Sequence, residues 1–374
     1  MITAVVMVGE KSGGHQAGPE APSPLAWVQD ARRVAAADLA TQLSRLDLLD
    51  RLILVSPDPL DSSESIRTPD NFHLDYWKSP PGPVHVGQYL TDITNRFQVH
   101  RLLYFGGGSA PLLSDVALSE LTDQLAHLEI GAITNNKYAS DWVGVTPASI
   151  LSEWTPRLPH DNMIGWVLSS EAGLPVKSLP PTAANRLDID TPSDLLTLRL
   201  HPDTGPHLAQ FLAQLPLDTS HLAAAMAILA TPASHVFISG RLSPAPWHRL
   251  NMATQCWLRV FSEERGMVSS GRLERGEVYS LLADHIELIG MAAFFSTLAQ
   301  QVQVAFIDTR VLLAHRGSWP SENDRYASDF GLVDQIKDPW LRDFTTAALE
   351  APIPVILGGH GLLAGDLLAL CDLL

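Results

Sequence analysis

The sequence predicts a Rossmann-like, three-layer α/β/α domain followed by a mainly helical domain. The chain has 374 residues, which is too long for one typical domain and suits two, each able to bury its own core. In the first half, short β-rich runs alternate with helical patterns, as in a largely parallel sheet covered by helices. Later in the chain, helical patterns dominate. We therefore expect one domain over residues 1–203 and a second over residues 204–374.

The individual elements are predicted from hydrophobic periodicity and from the turn residues between them. In the first domain we predict strands over 3–8, 51–56, 101–105, 131–134, 176–179 and 186–189, and helices over 27–49, 84–97, 115–128, 163–171 and 192–200. In the second domain we predict helices over 207–230, 243–264 and 277–303. The apolar runs 235–238, 304–307 and 353–357 could be strands or buried helix ends, since periodicity alone does not decide between them.

Composition limits the classes of partner. A hydrophobic fraction of 46% and a charged fraction of 18% are ordinary for a soluble globular protein, so no disordered region needs to be invoked. The net charge of −16 argues against a general nucleic-acid binder, because phosphate neutralisation needs a basic face. The two cysteines, Cys256 and Cys371, have no ligand-like spacing, so we expect neither a zinc site nor a disulfide framework.

The hydrophobic segments are short. The N-terminal run MITAVVMVG is too short and too lightly flanked for a signal peptide, and we predict that it is the first strand. No later segment reaches the ~18 uninterrupted apolar residues of a membrane span. We therefore expect a cytoplasmic protein without a membrane partner.

Two glycine-rich loops follow predicted strands. GEKSGG at 9–14 and FGGGSAPLL at 105–113 would let backbone amides approach an anion, and Lys11 would add a cation for a triphosphate. The glycines of the second loop allow close approach of a ligand or of a neighbouring loop. The alternative for the first loop is a turn without a ligand. The candidate nucleotide-binding residues are Gly9, Ser12, Gly13, Gly14, Gly107, Gly108 and Ser109, together with Lys11.

The segment RLDIDTPSDL at 186–195 places two acids on alternate residues. In a strand, Asp188 and Asp190 would present two carboxylates on one face, which is costly without a cation or a partner. Pro192 suits the first turn of a helix, with Thr191 as its cap and Asp194 near its N-terminus. The alternative is a strand, a capped turn and a helix in which Asp190 is only solvated.

These loops, in this order, resemble the nucleotidyltransferases of the nucleotide-diphospho-sugar transferase fold. The similarity covers roughly residues 1–200 and is closest to the 2-phospho-L-lactate and molybdenum cofactor guanylyltransferases, with LDIDTPSDL as its most specific part. The resemblance implies that Asp188 and Asp190 hold Mg²⁺ and act with Lys11 in catalysis. It also implies in-line attack by an acceptor phosphate on the α-phosphorus of an NTP, with GTP favoured and pyrophosphate leaving.

The sequence departs from the family pattern at two places. Ser109 stands where the family carries an aspartate that binds the catalytic metal, and the first loop lacks the arginine that grips the triphosphate. Lys11 could substitute for that arginine. For the metal, either Asp188 and Asp190 hold it with Ser109 acting through water, or the domain has lost turnover and only binds a nucleotide.

The resemblance also places the acceptor substrate. The segment TNNKYASD at 134–141 faces the acceptor in the related enzymes, with an Asn-rich turn as the alternative. In PHDN at 159–162, Asp161 or Asn162 is expected to cap the helix predicted over 163–171, with a ligand contact as the alternative. The candidate substrate-binding residues are Asn135, Asn136, Lys137, Asp141, Asp161 and Asn162.

Three functions compete. We expect a nucleotidyltransferase that acts on a small phosphorylated acceptor, and the main alternative is a catalytically silent nucleotide-binding or scaffold protein. A glycosyltransferase is disfavoured because no paired-acid motif ends the fourth strand. In the second domain, arginines and glutamates occur densely over 261–277 and 307–310, either as interhelix salt bridges or as a site for a phosphate or carboxylate. A homodimer is compatible with the sequence.

Overall fold

The computed structural model describes residues 1–9, 23–58, 66, 68–69, 72–79 and 84–374. These residues form two compact units. The first unit contains described residues from 1–9, 29–189 and 203–214, and the second contains 23–28, 190–202 and 215–374. Near the expected boundary, residues 190–202 therefore belong to the second unit and residues 203–214 to the first.

The first unit contains a mixed sheet of seven strands. Their order is β3-β2-β1-β4-β6-β5-β7, and only β6 runs antiparallel to its neighbours among the described strands. The strands are β1 (Ile2–Met7), β2 (Leu49–Ser56), β3 (His73–Lys78), β4 (Leu102–Phe105), β5 (Gly131–Thr134), β6 (Trp142–Thr146) and β7 (Val176–Ser178).

Helices cover both faces of this sheet. Successive β1 residues alternate between two cores: Val6 packs with residues of α1 and α3, whereas Val5 packs with residues of α2 and α4. The helices are α1 (Pro24–Leu43, up to Val28 in the second unit), α2 (Val86–Phe97), α3 (Asp115–His127), α4 (Ile150–Trp154), α5 (Ile164–Trp166), α6 (Ala183–Arg186) and α8 (Pro206–Gln214). The predicted three-layer α/β/α class is confirmed.

Helix α8 is attached to α1 within the first unit. The buried Asp38 carboxylate accepts hydrogen bonds from the backbone nitrogens of His207, at 3.2 Å, and Leu208, at 2.9 Å. It also contacts Nδ1 of His207 at 2.7 Å. Asp38 thus satisfies amides that a helix N-terminus leaves without intrahelical partners, which explains why residues 203–214 group with the first unit.

Two predictions for the first unit need correction. Residues 186–189 are not a strand: the chain leaves α6 and makes a single β-bridge from Asp188 to Ser109, because it pairs with a loop and not with a sheet strand. The predicted helix at 163–171 is a 3₁₀ turn at Asp161–Met163, the short helix α5 and a π-helical turn at Val167–Glu171. Strands β3 and β6 are elements that the periodicity did not reveal.

The second unit is mainly helical but is built on a sheet. Its four parallel strands have the order β11-β10-β8-β9, so all three undecided apolar runs contribute strands. Strand β9 interrupts the helix predicted over 243–264. The elements are α7 (Pro192–Leu200), α9 (Ser220–Leu229), β8 (His235–Gly240), α10 (Pro244–Ala253), β9 (Trp257–Ser262), α11 (Leu281–Ile289), α12 (Met291–Ala299), β10 (Val304–Asp308), α13 (Thr309–His315), α14 (Glu322–Asp329), α15 (Pro339–Leu349), β11 (Val355–Gly358) and α16 (Gly365–Asp372).

The most apolar helices of the second unit are α11 and α12. Within the described ranges, no single helix is both long and apolar enough to cross a membrane, and these two meet the length and composition test only as a pair bent by 108°. Their buried faces pack with residues of β10 and β11 in one hydrophobic cluster.

Candidate active site

The glycine loops lie at the carboxyl ends of the strands in the first unit. Gly9 follows β1, and Gly106 begins the loop after β4, which pairs with β1 in parallel. This is the edge at which open α/β sheets bind their ligands. Four residues predicted for the first loop lie outside the described residues, and their roles stay predictions: Lys11, Ser12, Gly13 and Gly14.

The second glycine loop is packed closely against its neighbours. A Cβ atom on Gly107 would lie 3.4 Å from the carbonyl oxygen of Met7. Gly108 has a φ of +84°, and a Cβ atom there would lie 2.8 Å from Cγ of Arg32 and 3.0 Å from the carbonyl oxygen of Ile189. A side chain at position 108 is therefore excluded by both conformation and space. The glycines allow the approach of neighbouring segments, which is one of the two purposes predicted for them.

Ser109 and Asp188 are brought together. They form an isolated antiparallel bridge, supported by a hydrogen bond of 3.0 Å from the nitrogen of Ile189 to the carbonyl of Gly108. Ser109 is buried, and its hydroxyl donates to the carbonyl of Gly106 at 2.8 Å. A carboxylate that the resemblance assigns to the metal thus lies opposite the position where the family carries its metal-binding aspartate.

Two arginines on α1 hold these loops, and sequence reasoning missed both. The buried Arg33 donates from Nη1 to the carbonyl of Gly9 at 2.8 Å and to Oγ of Ser56 at 3.3 Å. Arg32 donates from Nε to the carbonyl of Ile189 at 2.5 Å. The available signal was the adjacent pair of arginines inside an otherwise largely apolar helix, which is an unusual place for two charges.

Asn135 and Asp141 form a connected pair after β5. Asn135 is fully buried, and its Nδ2 donates to Oδ2 of Asp141 at 2.5 Å. In return, Oδ1 of Asn135 accepts from the backbone nitrogen of Asp141 at 3.0 Å. Asn135 therefore fixes the start of β6 and orients the Asp141 carboxylate, which makes it a supporting residue.

A second group of polar side chains surrounds Gly106. The nitrogen of Gly106 donates to the carbonyl of Asp141 at 2.8 Å, and the Tyr104 hydroxyl donates to Oδ2 of Asp161 at 3.0 Å. Burial and the Asp161 carboxylate raise the pKa of Tyr104 well above its usual value, with a smaller effect from Asp141, so the phenol stays protonated. Asp161 is thus a partner of Tyr104 and not a helix cap.

Arg186 adds a positive charge to this group. Burial lowers the pKa of Arg186, while the charge of Asp141 acts in the opposite direction. Its Nε is buried and has no hydrogen-bond partner among the described residues. A guanidinium nitrogen in this state is a candidate contact for an anionic substrate group.

The remaining acceptor-side candidates lie in outer turns. Asn136 accepts from the backbone nitrogen of Tyr138 at 3.2 Å, as in an Asx turn. The backbone nitrogen of Lys137 donates to Oγ of Ser178, and its ammonium lies 5.1 Å from the centre of the Tyr138 ring. The carbonyl of Asn162 accepts from the nitrogen of Ser140. These contacts are accounted for by the turns themselves.

Asp190 belongs to the second unit, where α7 follows it. Its backbone nitrogen donates to Oδ2 of Asp194 at 2.8 Å, and its carbonyl accepts from the Tyr326 hydroxyl at 2.6 Å. The side chain is exposed. Oδ2 of Asp194 also accepts from the nitrogen of Thr191, so the predicted cap at Thr191, with Pro192 in the first turn, is present.

The donor chemistry at the bridge suits a hard divalent cation. Among the described residues, no group of three or more His, Cys, Asp and Glu side chains could hold a metal ion. Mg²⁺, however, prefers oxygen ligands and needs only one or two carboxylates besides water and substrate phosphates. Asp188, with the Ser109 hydroxyl opposite it, therefore fits a site that a nucleotide would complete.

An open groove of about 610 Å³ lies elsewhere in the first unit. It is formed by residues of α3, β5 and β7, and none of the predicted site residues lines it. Its location at the β7 edge of the sheet separates it from the glycine loops.

Comparison with known proteins gives structural matches only. No family model and no curated protein sequence matches the chain. A cytidylyltransferase from Leptospira borgpetersenii is 11% identical, covers 57% of this chain and 94% of its own length, and has a TM-score of 0.37. A nucleotide-diphospho-sugar transferase from Desulfovibrio desulfuricans is 14% identical, with coverages of 57% and 97% and a TM-score of 0.39. A manganese complex of a Mycobacterium tuberculosis protein is 18% identical, with coverages of 52% and 94% and a TM-score of 0.28.

Proposed function

We propose that the chain is a nucleotidyltransferase that transfers a nucleotidyl group, with GMP favoured, from an NTP to a small phosphorylated acceptor. The observation that carries this proposal is the Ser109–Asp188 bridge, which holds the backbone of Asp188 against the glycine loop at the carboxyl end of β4. An acceptor phosphate oxygen forms a bond to the α-phosphorus, and the bond from that phosphorus to the leaving pyrophosphate oxygen breaks. The nucleophile is already an anion, so the protein needs no strong base.

The residues divide the work on the nucleotide. In this proposal Asp188 and Asp190 hold Mg²⁺, which neutralises charge on the triphosphate when it is bound. Lys11 contacts the leaving pyrophosphate, and backbone amides of the loop at Gly107 and Gly108 contact the phosphates. Arg33 fixes the end of β1 and acts as a positioning residue, because it donates to the carbonyl of Gly9 and to Oγ of Ser56.

The acceptor is proposed to bind beside Gly106. Asp141 and Asp161 line this region, and Arg186 supplies a guanidinium nitrogen without a protein hydrogen bond within the described ranges. An anionic group of the acceptor would satisfy that nitrogen by a charge-assisted hydrogen bond. Asn136, Lys137 and Asn162 would act only from the rim.

The test is pyrophosphate release from a panel of NTPs and small phosphorylated acids, with Mg²⁺ or Mn²⁺. Asp188→Asn should lower the rate on the order of 100-fold, equivalent to ~2.7 kcal/mol of transition-state stabilisation. Asp47→Asn is the matched control, since Asp47 is an exposed acid of the same unit. Turnover that Asp188→Asn leaves unchanged would remove Asp188 from the site, and no release with any pair would reject the transferase.

A silent nucleotide-binding protein is the second candidate. The observation that favours it is Ser109, whose hydroxyl is already bonded to Gly106 in the position of the family's metal-binding acid. Calorimetric titration with GTP and ATP separates the two candidates. Saturable nucleotide binding without pyrophosphate release over the whole panel would support the silent protein.

A further inference from the structure

The sheet of the second unit has a topological switch point. The chain passes from β8 to β9 on one side and then returns to place β10 on the other side of β8, with β11 beyond it. All three pairings are parallel, so the carboxyl ends of the four strands lie at one edge. In open α/β sheets, ligands bind at this edge where the strand order reverses. The expected position is therefore between the ends of β8 and β10.

An oriented arginine occupies that position. Arg241 follows β8, and its Nε and Nη2 donate to the two carboxylate oxygens of Asp308, the last residue of β10, at 2.6 Å and 3.1 Å. Asp308 is buried and also accepts from the backbone nitrogen of Arg310 at 3.2 Å. Burial alone would raise the pKa of Asp308, but the charge and hydrogen bonds of Arg241, with smaller effects from His360 and Arg310, outweigh burial and lower that pKa.

Gly240 makes this pairing possible. Its φ is +128°, and a Cβ atom there would lie only 2.3 Å from Cβ of Asp308. A side chain at position 240 would separate the two strand ends. The glycine thus brings Asp308 against the chain that carries Arg241.

One edge of the Arg241 guanidinium remains open. Nη1 has no hydrogen-bond partner in the part of the chain that the structure describes, and the side chain is 13% exposed. By contrast, Arg310 is buried, binds both oxygens of Asp329 at 2.5 Å and 2.6 Å, and also donates to Thr309. Arg310 is therefore structural, whereas Arg241 is positioned by a buried acid with donor capacity left over.

Two further polar residues follow strands that end at the same carboxyl edge of the sheet. His360 follows β11 and Arg265 follows β9, and both are exposed. Partial desolvation by the surrounding protein and the charge of Arg241 lower the pKa of His360, and Arg265 lowers it further. The charges of Asp308 and Asp190 raise that pKa. The imidazole nevertheless keeps contact with solvent. A neutral His360 can donate one hydrogen bond at this edge.

We propose that the carboxyl edge of the second sheet is a separate binding site, which takes a small molecule through an oxyanion, phosphate or carboxylate. Arg241 binds the oxyanion through Nη1, His360 donates a hydrogen bond to it, and Arg265 attracts it from the rim. This site is independent of the transferase proposed for the first unit.

The test uses the full chain with inorganic phosphate or acetate as probe, against chloride at equal ionic strength. Thermal-shift titrations should show saturable stabilisation by one of the probes, which also tells phosphate from carboxylate recognition. The apparent Kd should rise at least tenfold in Arg241→Lys, because lysine keeps a charge beside Asp308 but lacks the planar guanidinium with its several N–H donors. It should rise about threefold in His360→Asn.

His248→Asn is the matched control, because His248 is an exposed histidine of α10 in the same unit. It should bind the probe as the wild type does. A second readout is the imidazole proton resonance of His360, which is assigned by its absence from the spectrum of His360→Asn. This resonance should shift with the probe in the wild type and not in Arg241→Lys. Equal responses in all variants, or no response to either probe, would overturn the proposal. His360→Asn should fold, because the His360 side chain is exposed. It therefore still tests the proposal if Arg241→Lys does not fold.

Discussion

Asp366 should make the second unit less stable as pH rises. It is fully buried in α16, and neither carboxylate oxygen has a hydrogen bond of good geometry among the described residues. Burial raises its pKa from 3.8 to about 6, although the nearby Ser193, Asp194 and Thr197 lower it in part. The carboxyl is therefore more easily ionised in the unfolded chain than in the folded one.

The direction and size follow from the two pKa values. The group's stabilisation is complete below the unfolded value of 3.8 and is lost as pH rises through about 6. At 1.36 kcal/mol per pKa unit, the loss is ~3 kcal/mol above that range. Asp366→Asn carries no charge, so it should be more stable than the wild type by ~3 kcal/mol at about pH 8 and by roughly half of that at about pH 5.

Urea unfolding of the full chain, followed at several pH values, measures this difference. In thermal melts the same difference corresponds to roughly 6–12 °C for the transition of a unit of this size. Asp334→Asn, at an exposed acid of the same unit, should show no such pH-dependent gain. A variant less stable than the wild type at about pH 8, or a gain that does not change with pH, would show that the raised pKa of Asp366 does not destabilise the second unit.

Four further substitutions test the sites. Gly108→Ala should cost roughly 1–3 kcal/mol in the unfolding of the first unit, because its φ of +84° and the nearby Arg32 exclude a side chain. Lys11→Ala should weaken NTP binding by roughly 1.5–3 kcal/mol, and an unchanged calorimetric affinity would remove Lys11 from the site. Ser109→Asp should tighten Mg²⁺ in a working transferase, whereas in a silent protein the melts would show destabilisation without gain. Arg310→Met should cost about 3–5 kcal/mol in urea unfolding, because it leaves Asp329 charged and buried without its partner.

Local patterns predicted the features that depend on near neighbours in the sequence. Thr191 with Pro192 begins α7, as turn chemistry indicated. Strand β1 and the glycine-rich turn after β4 were also predicted from local residue patterns. In each case the residue type itself sets the backbone geometry.

Features that depend on distant partners were missed. The run Trp257–Ser262 lies within the helix predicted over 243–264, and it is a strand because it pairs in parallel with β8. The adjacent pair of arginines on α1 does not specify the partners of Arg33, since its contacts with Gly9 and Ser56 join segments far apart in the chain. The switch point in the second sheet follows from the spatial order of its strands, which local sequence patterns do not specify.

The segment RLDIDTPSDL shows how a correct motif can rest on an incorrect element. Alternation along one continuous strand would put Asp188 and Asp190 on one face. In the structure Asp188 pairs with Ser109 in the first unit, while Asp190 is tied through its backbone to Asp194 and Tyr326 in the second. Only Asp188 is therefore supported as a metal ligand by a contact with the glycine loop. Loss of pyrophosphate release in Asp188→Asn with retention in Asp190→Asn would assign the cation to Asp188 alone, whereas loss in both would support the paired site.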